Sequence, residues 1–136
     1  MACLFVIVSG LIPLRPDLPE AHLAGARHLC ECHGNYERAR VQVALAARSL
    51  PNNPSVIGYT AAIDRREGRW EENTIGLERA LSLDPRNPQR LEHLAASFIW
   101  LRRYRDAEQT YDRLIELKPD KPFTKALRTL ECARPD

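Results

Sequence analysis

"GRWEENTIGLERALSLDPRNP" (residues 68–88) is built like a punctuated phrase: a glycine, an aromatic residue, an amphipathic run and a proline-bounded turn. The chain states it three times. Gly34 and Gly68 lie 34 residues apart, as do Tyr36, Trp70 and Tyr104, then Pro51, Pro85 and Pro119, then Pro54, Pro88 and Pro122. The other two copies are "HGNYERARVQVALAARSLPNNP" and "LRRYRDAEQTYDRLIELKPDKP", and about a dozen residues of helical pattern precede each copy. Self-similarity at this period marks a stack of supersecondary units in which no unit can bury its apolar face alone.

Each unit divides into two helices. In the second, Ile57, Thr60, Ala61 and Asp64 mark one face of the first helix, and Ile75, Leu77, Ala80, Leu81 and Leu83 give the apolar stripe of the next. In the third, the corresponding sets are Leu91, Leu94, Ala95 and Phe98, then Tyr111, Leu114, Ile115 and Leu117. These are spacings of three and four, not strand alternation. Asn53-Pro54 and Asn87-Pro88 place a good N-cap before a proline at the first helical position, where its missing N–H costs nothing. The pattern predicts helices near 20–32, 36–50, 55–67, 70–82, 89–101 and 104–117. A seventh, near 122–133, would cover the last unit with Phe123, Ala126, Leu127 and Leu130.

Departures from the period carry expectations of their own. The first unit has one extra residue between Pro19 and Pro54, which points to the Cys32-His33-Gly34-Asn35 turn, and Gly25 suggests a looser first helix. Arg102 stands where the other turns have Gly34 and Gly68, predicting a turn of different shape or some strain. Asn73 replaces the small residue found at Ala39 and Ala107, and reads as a tolerated defect whose amide needs a partner or solvent.

At 136 residues, 44% hydrophobic and 28% charged with a net charge of +2, the chain fits one domain and demands no polyanionic partner. Four cysteines do not make a disulfide framework, which favours a reducing, cytoplasmic setting. The apolar run Cys3 to Val8 has no basic residue ahead of it and is too short to span a membrane, so residues 1–14 read as an apolar end cap.

The residues that could carry chemistry do not assemble. His28, Cys30, Cys32 and His33 are ligand types, but on a helix His28 and Cys32 share a face while Cys30 points elsewhere, short of the four ligands of a closed site. Ordinary helix packing explains them, and no metal or cofactor is expected. Arg65, Arg66 and Arg69, then Arg102, Arg103 and Arg105, recur at equivalent turns, but Glu67, Glu71, Glu72, Asp106 and Glu108 interleave with them. They read as a solvated, salt-bridged edge, not a nucleic-acid surface. With no nucleophile elbow, phosphate loop or paired carboxylates, no enzymatic activity is expected.

A unit of 34 residues with Ala61 and Ala95 at its eighth position, an aromatic after the turn, alanine at the helix crossing and proline near the end resembles the tetratricopeptide repeat over residues 19–121. The resemblance implies an all-α, right-handed superhelical solenoid of three helix pairs. Its units would span 19–53, 54–87 and 88–121, with residues 1–18 and 122–136 at the ends of a single domain. It also implies a non-catalytic module that binds a protein or peptide in a concave groove lined by Gly58, Ala62, Arg65, Arg66, Gln89, Glu92, Ala96, Ile99 and Trp100. The basic and asparagine residues with which some relatives clamp a C-terminal carboxylate are missing: Ala24 or His28, Gly58, Ala62, Glu92 and Ala96 stand at or beside those positions. Two alternatives stay open. One is a self-associating scaffold, pairing through the N-terminal apolar segment or the C-terminal edge. The other is a sensory piece of a larger bacterial signalling enzyme such as a nucleotide cyclase, whose repeat wording is similar.

Overall fold

The computed structural model describes residues 18–118, which form six helices: α1 (Pro19–Cys32), α2 (Tyr36–Ser49), α3 (Pro54–Arg66), α4 (Trp70–Leu83), α5 (Pro88–Trp100) and α6 (Tyr104–Leu117). The expected end cap at residues 1–14 and seventh helix at 122–133 lie outside the described residues.

The helices start where the sequence places its punctuation. Pro19, Pro54 and Pro88 open α1, α3 and α5. The Asn35, Asn53 and Asn87 side chains accept from the backbone N–H of Arg38, Ser55 and Arg90, satisfying donors that the first turn leaves unpaired. Between the two helices of each pair the chain reverses through a left-handed residue: Gly34 at φ 60°, Gly68 at φ 78° and Arg102 at φ 58°. The third turn therefore keeps the left-handed residue of the other two and carries the steric cost of a side chain in that region, about 1 kcal/mol.

The extra residue of the first unit enters where α1 runs into its turn, between Leu29 and Asn35. Three residues separate the helices of every pair, and α1 has 14 residues where α3 and α5 have 13. The insertion lengthens the helix, and its closing bond shows where it went. Arg69 N–H and Arg103 N–H reach back to Asp64 O and Phe98 O, five residues earlier, whereas Asn35 N–H reaches six back, to Leu29 O. Gly25 does not interrupt α1: it is buried, with the Gln42 side chain 3.7 Å from where a Cβ would sit.

Packing runs pair by pair, α1 on α2, α3 on α4 and α5 on α6, and α2–α3 and α4–α5 contacts join successive pairs. Small residues at equivalent positions permit the close approach: Ala26, Ala61 and Ala95 are fully buried, as are Ala39 and Ala107. Two apolar clusters result. One gathers Ala26, Ala39, Val43, Ala46, Val56 and Ile63, and the other Ala61, Leu77, Leu81, Leu91, Leu94, Ala95, Phe98, Ala107, Tyr111 and Leu114. The stripe of α4 is narrower than expected. Ile75 and Leu83 are 64% and 48% exposed, because Thr74, Leu77, Ala80 and Leu81 already fill the inward face and Ile75 sits about 200° around the helix from Leu77.

Asn73 is no defect. Its side chain is 1% exposed, its Nδ2 donates to the Ala61 carbonyl at 2.6 Å, and the Ser97 hydroxyl lies 2.6 Å from its Oδ1. The amide thus ties α4 to α3 within a pair and to α5 of the next. Beside it, Gly76 admits Ala61 so closely that a Cβ there would stand 2.9 Å from the Ala61 Cβ.

Candidate functional site

The first helices α1, α3 and α5 line a groove of about 390 Å³. From α1 come Ala26, Arg27, Cys30 and Glu31; from α3, Ser55, Gly58, Tyr59, Ala62, Arg65 and Arg66; from α5, Gln89, Arg90 and His93. Five of the nine residues expected there, Gly58, Ala62, Arg65, Arg66 and Gln89, line it. Glu92, Ala96, Ile99 and Trp100 do not. Trp100 nevertheless follows the groove residues His93 and Gln89 on one face of α5, since the steps 89, 93, 96, 100 alternate four and three.

Gly58 is a groove residue for a steric reason. A Cβ at this position would meet Arg90 Nε at 3.3 Å, so the glycine lets the Arg90 side chain lie between α3 and α5. Arg90 is held there by Asp84, Nη1 to Oδ2 at 2.6 Å, with Ser55 Oγ at 3.5 Å. Arg27 pairs with Glu31 at 3.1 Å. These two arginines are therefore internally compensated. Arg65 and Arg66 are not: among the described residues no carboxylate stands within ion-pair distance of either. Burial, and then the neighbouring Arg66, lowers the Arg65 pKa. Burial, and then Arg65, pulls the His93 imidazole below its ordinary value, so it is neutral at pH 7. Burial raises the Cys30 thiol, which stays protonated.

The arginine edge divides in two. Arg69 pairs with Asp64 at 3.1 Å and with Glu67, and Arg103 pairs with Asp106 at 2.7 Å, as a salt-bridged edge would. Arg65 and Arg66 instead turn into the groove. A further cavity of about 470 Å³ opens between α4 and α6, floored by the core residues Leu81, Leu94 and Phe98 and rimmed by charges of both signs. Arg103 lies across the Phe98 ring at 4.6 Å there.

Trp70, the aromatic that follows the second turn, is half-exposed and stacks on Trp100, with ring centroids 5.4 Å apart and planes at 18°. Trp100 itself is 70% exposed. The residues are 30 positions apart in different units, so no helical spacing could have paired them. Nor does the face shared by His28 and Cys32 decide their contacts: the ring that meets His28 is His33, Nε2 to Nε2 at 3.2 Å, with Cys30 half-buried and Cys32 exposed. Among the described residues no three metal-ligating side chains gather, and no helix is long and apolar enough to cross a membrane.

No protein-family model matches the chain, and no curated protein does. Solved structures do. The first TPR of Spaghetti (RPAP3), bound to the HSP90 peptide SRMEEVD, superposes with a TM-score of 0.74 at 18% identity, over 85% of this chain and 94% of that one. The Sgt2 TPR domain from Aspergillus fumigatus gives 0.71 at 19% identity, over 87% and 85%. PilF of Pseudomonas aeruginosa gives 0.73 at 19%, over 88% of this chain and 54% of its own. With the period, the turns and the packing order, these likenesses establish the fold: residues 18–118 form a tetratricopeptide-repeat-like helical solenoid.

Proposed function

We propose that the chain is a non-catalytic protein-binding module whose groove, lined by α1, α3 and α5, receives a segment of a partner protein. One observation carries this reading. Among the described residues Arg65 and Arg66 turn into the groove without a carboxylate partner, while Arg27 and Arg90 beside them are paired. Arg65 is half-buried and Arg66 exposed; half-burying the Arg65 guanidinium without an acceptor is costly, and an incoming chain that supplies one removes that cost. The neutral His93, the Tyr59 ring and the small residues Ala26, Gly58 and Ala62 leave room and adaptable hydrogen bonding around the two charges. A TPR neighbour holding a peptide gives the reading a precedent of the same architecture.

The test is affinity capture with the native chain and with an Arg66→Glu, Trp100→Ala variant. The variant is expected to keep its helical circular dichroism and lose the partner. Equal recovery of the same partner by both proteins would refute the groove.

A further inference from the structure

Arg66 and Trp100 end equivalent helices, α3 and α5, one unit apart. Both are exposed. Arg66 belongs to the groove lining, and Trp100 stands at the next corresponding position, on the face of α5 that carries Gln89 and His93. Beneath Trp100 lies Trp70, stacked nearly parallel. A large ring 70% open to water is unfavourable on a free surface, but one already fixed by a partner ring loses little entropy when something lands on it. Fixed, exposed tryptophans with nearby arginines are the residue types that dominate binding energy at interfaces.

We propose that the groove and the Trp70–Trp100 stack form one continuous surface, which takes an acidic partner segment carrying a large apolar side chain. Its carboxylates sit on Arg65 and Arg66 and its apolar side chain on the outer face of Trp100. This rests on the groove reading and adds the chemistry of the occupant. Charge complementarity selects it: Glu31 is engaged by Arg27 and Asp84 by Arg90, so the two arginines left over favour an anionic segment. The aromatic ledge demands an apolar group in that same segment.

The chain holds two tryptophans, and both are in the stack, so intrinsic fluorescence reads the ledge alone. Three short synthetic peptides are titrated into the full chain: glutamates around one leucine, glutamates only, and lysines around one leucine. Calorimetry gives affinity in parallel. The glutamate–leucine peptide is expected to shift tryptophan emission and to bind about tenfold more tightly than the all-glutamate peptide, with the lysine peptide inert. Trp100→Ala should erase the tenfold difference by weakening the glutamate–leucine peptide. Trp70→Phe, which keeps an aromatic platform, should retain the difference and leave Trp100 as sole reporter. Arg65→Gln with Arg66→Gln should weaken both acidic peptides.

Three results would overturn the proposal. Equal binding of both acidic peptides removes the ledge, although the groove reading stands if capture still depends on Arg66. No acidic binding at low salt, or equal binding of the lysine peptide, removes the acidic occupant. Emission of the free protein that resists a soluble quencher, or shifts with protein concentration, shows the ledge already covered by this chain or by a second copy.

Discussion

The two junctions between successive helix pairs are solved by different chemistry. Between the first and second pairs, the apolar cluster is built of alanine, valine and one isoleucine, and ions close its rim. Arg40 of α2 reaches Asp64 of α3 and Glu67 at 2.5 Å each, and Arg69 joins both carboxylates. Between the second and third pairs, leucines, Phe98 and Tyr111 fill the interior, and a neutral amide, Asn73, bridges the two pairs from within. One period therefore tolerates two kinds of joint. The volume-filled joint should be sensitive to cavities and the ionic joint to salt, and single substitutions can break or sharpen that contrast.

The largest effect belongs to the apolar joint. Leu91→Ala, at a fully buried site, is expected to cost about 3 kcal/mol by urea denaturation with little dependence on salt. A loss below about 1 kcal/mol would mean that the third pair is not packed as tightly as its burial indicates. Next comes Asn73→Ala, which installs the residue of the other two copies. Because the amide is buried and engaged on both sides, the substitution should destabilise by about 1–3 kcal/mol rather than relieve a defect. A double-mutant cycle with Ser97→Ala should be non-additive, since the two side chains share one bond. A neutral Asn73→Ala would return the residue to a tolerated irregularity.

At the ionic joint the loss is smaller and conditional. Arg40→Ala should cost about 1 kcal/mol or less at low ionic strength and progressively less as salt rises, the opposite of the behaviour at Leu91. Burial raises the Asp64 carboxyl against the pull of Arg40, so removing the guanidinium should raise it further, which a carboxyl titration by NMR would detect. Arg102→Gly relieves the left-handed strain of the third turn, partly offset by glycine's greater freedom in the unfolded chain, and should stabilise by about 0.5–1 kcal/mol. The smallest effect is His93. Its folded pKa is lowered, so as pH falls past the ordinary histidine value the unfolded chain takes up the proton first. Stability is therefore full above that value and declines below it. His93→Gln should flatten this acid limb between pH 7 and 5, and an unchanged slope would assign it to another group.

Much of this is legible in the sequence. A period shared by glycines, aromatics and prolines forces three equivalent helix pairs, and capping asparagines before prolines place the helix starts to within a residue. What could not be read were relations across the period. Ile75 looked like core because it is apolar, yet only the rotation of α4 against α3 and α5 decides which face is inward. The extra residue of the first unit could enter a turn or a helix with similar local cost, and the structure absorbs it where the last turn of α1 meets the loop. Asn73 offers an amide from sequence alone, but its acceptor on Ala61 and its donor on Ser97 come from two other helices.

The same division holds for the candidate site. Local interactions repeat with the sequence, because caps, turns and helical stripes depend on residues within a few positions of one another. The sequence by itself thus determined an array of helix pairs and nominated Arg65, Arg66 and Trp100 among the groove residues. Only the tertiary structure decided that Arg65 and Arg66 face the groove with no carboxylate beside them among the described residues and that Trp70 stacks on Trp100. Those outcomes depend on how one pair is seated on the next, a geometry that no spacing within a single helix encodes.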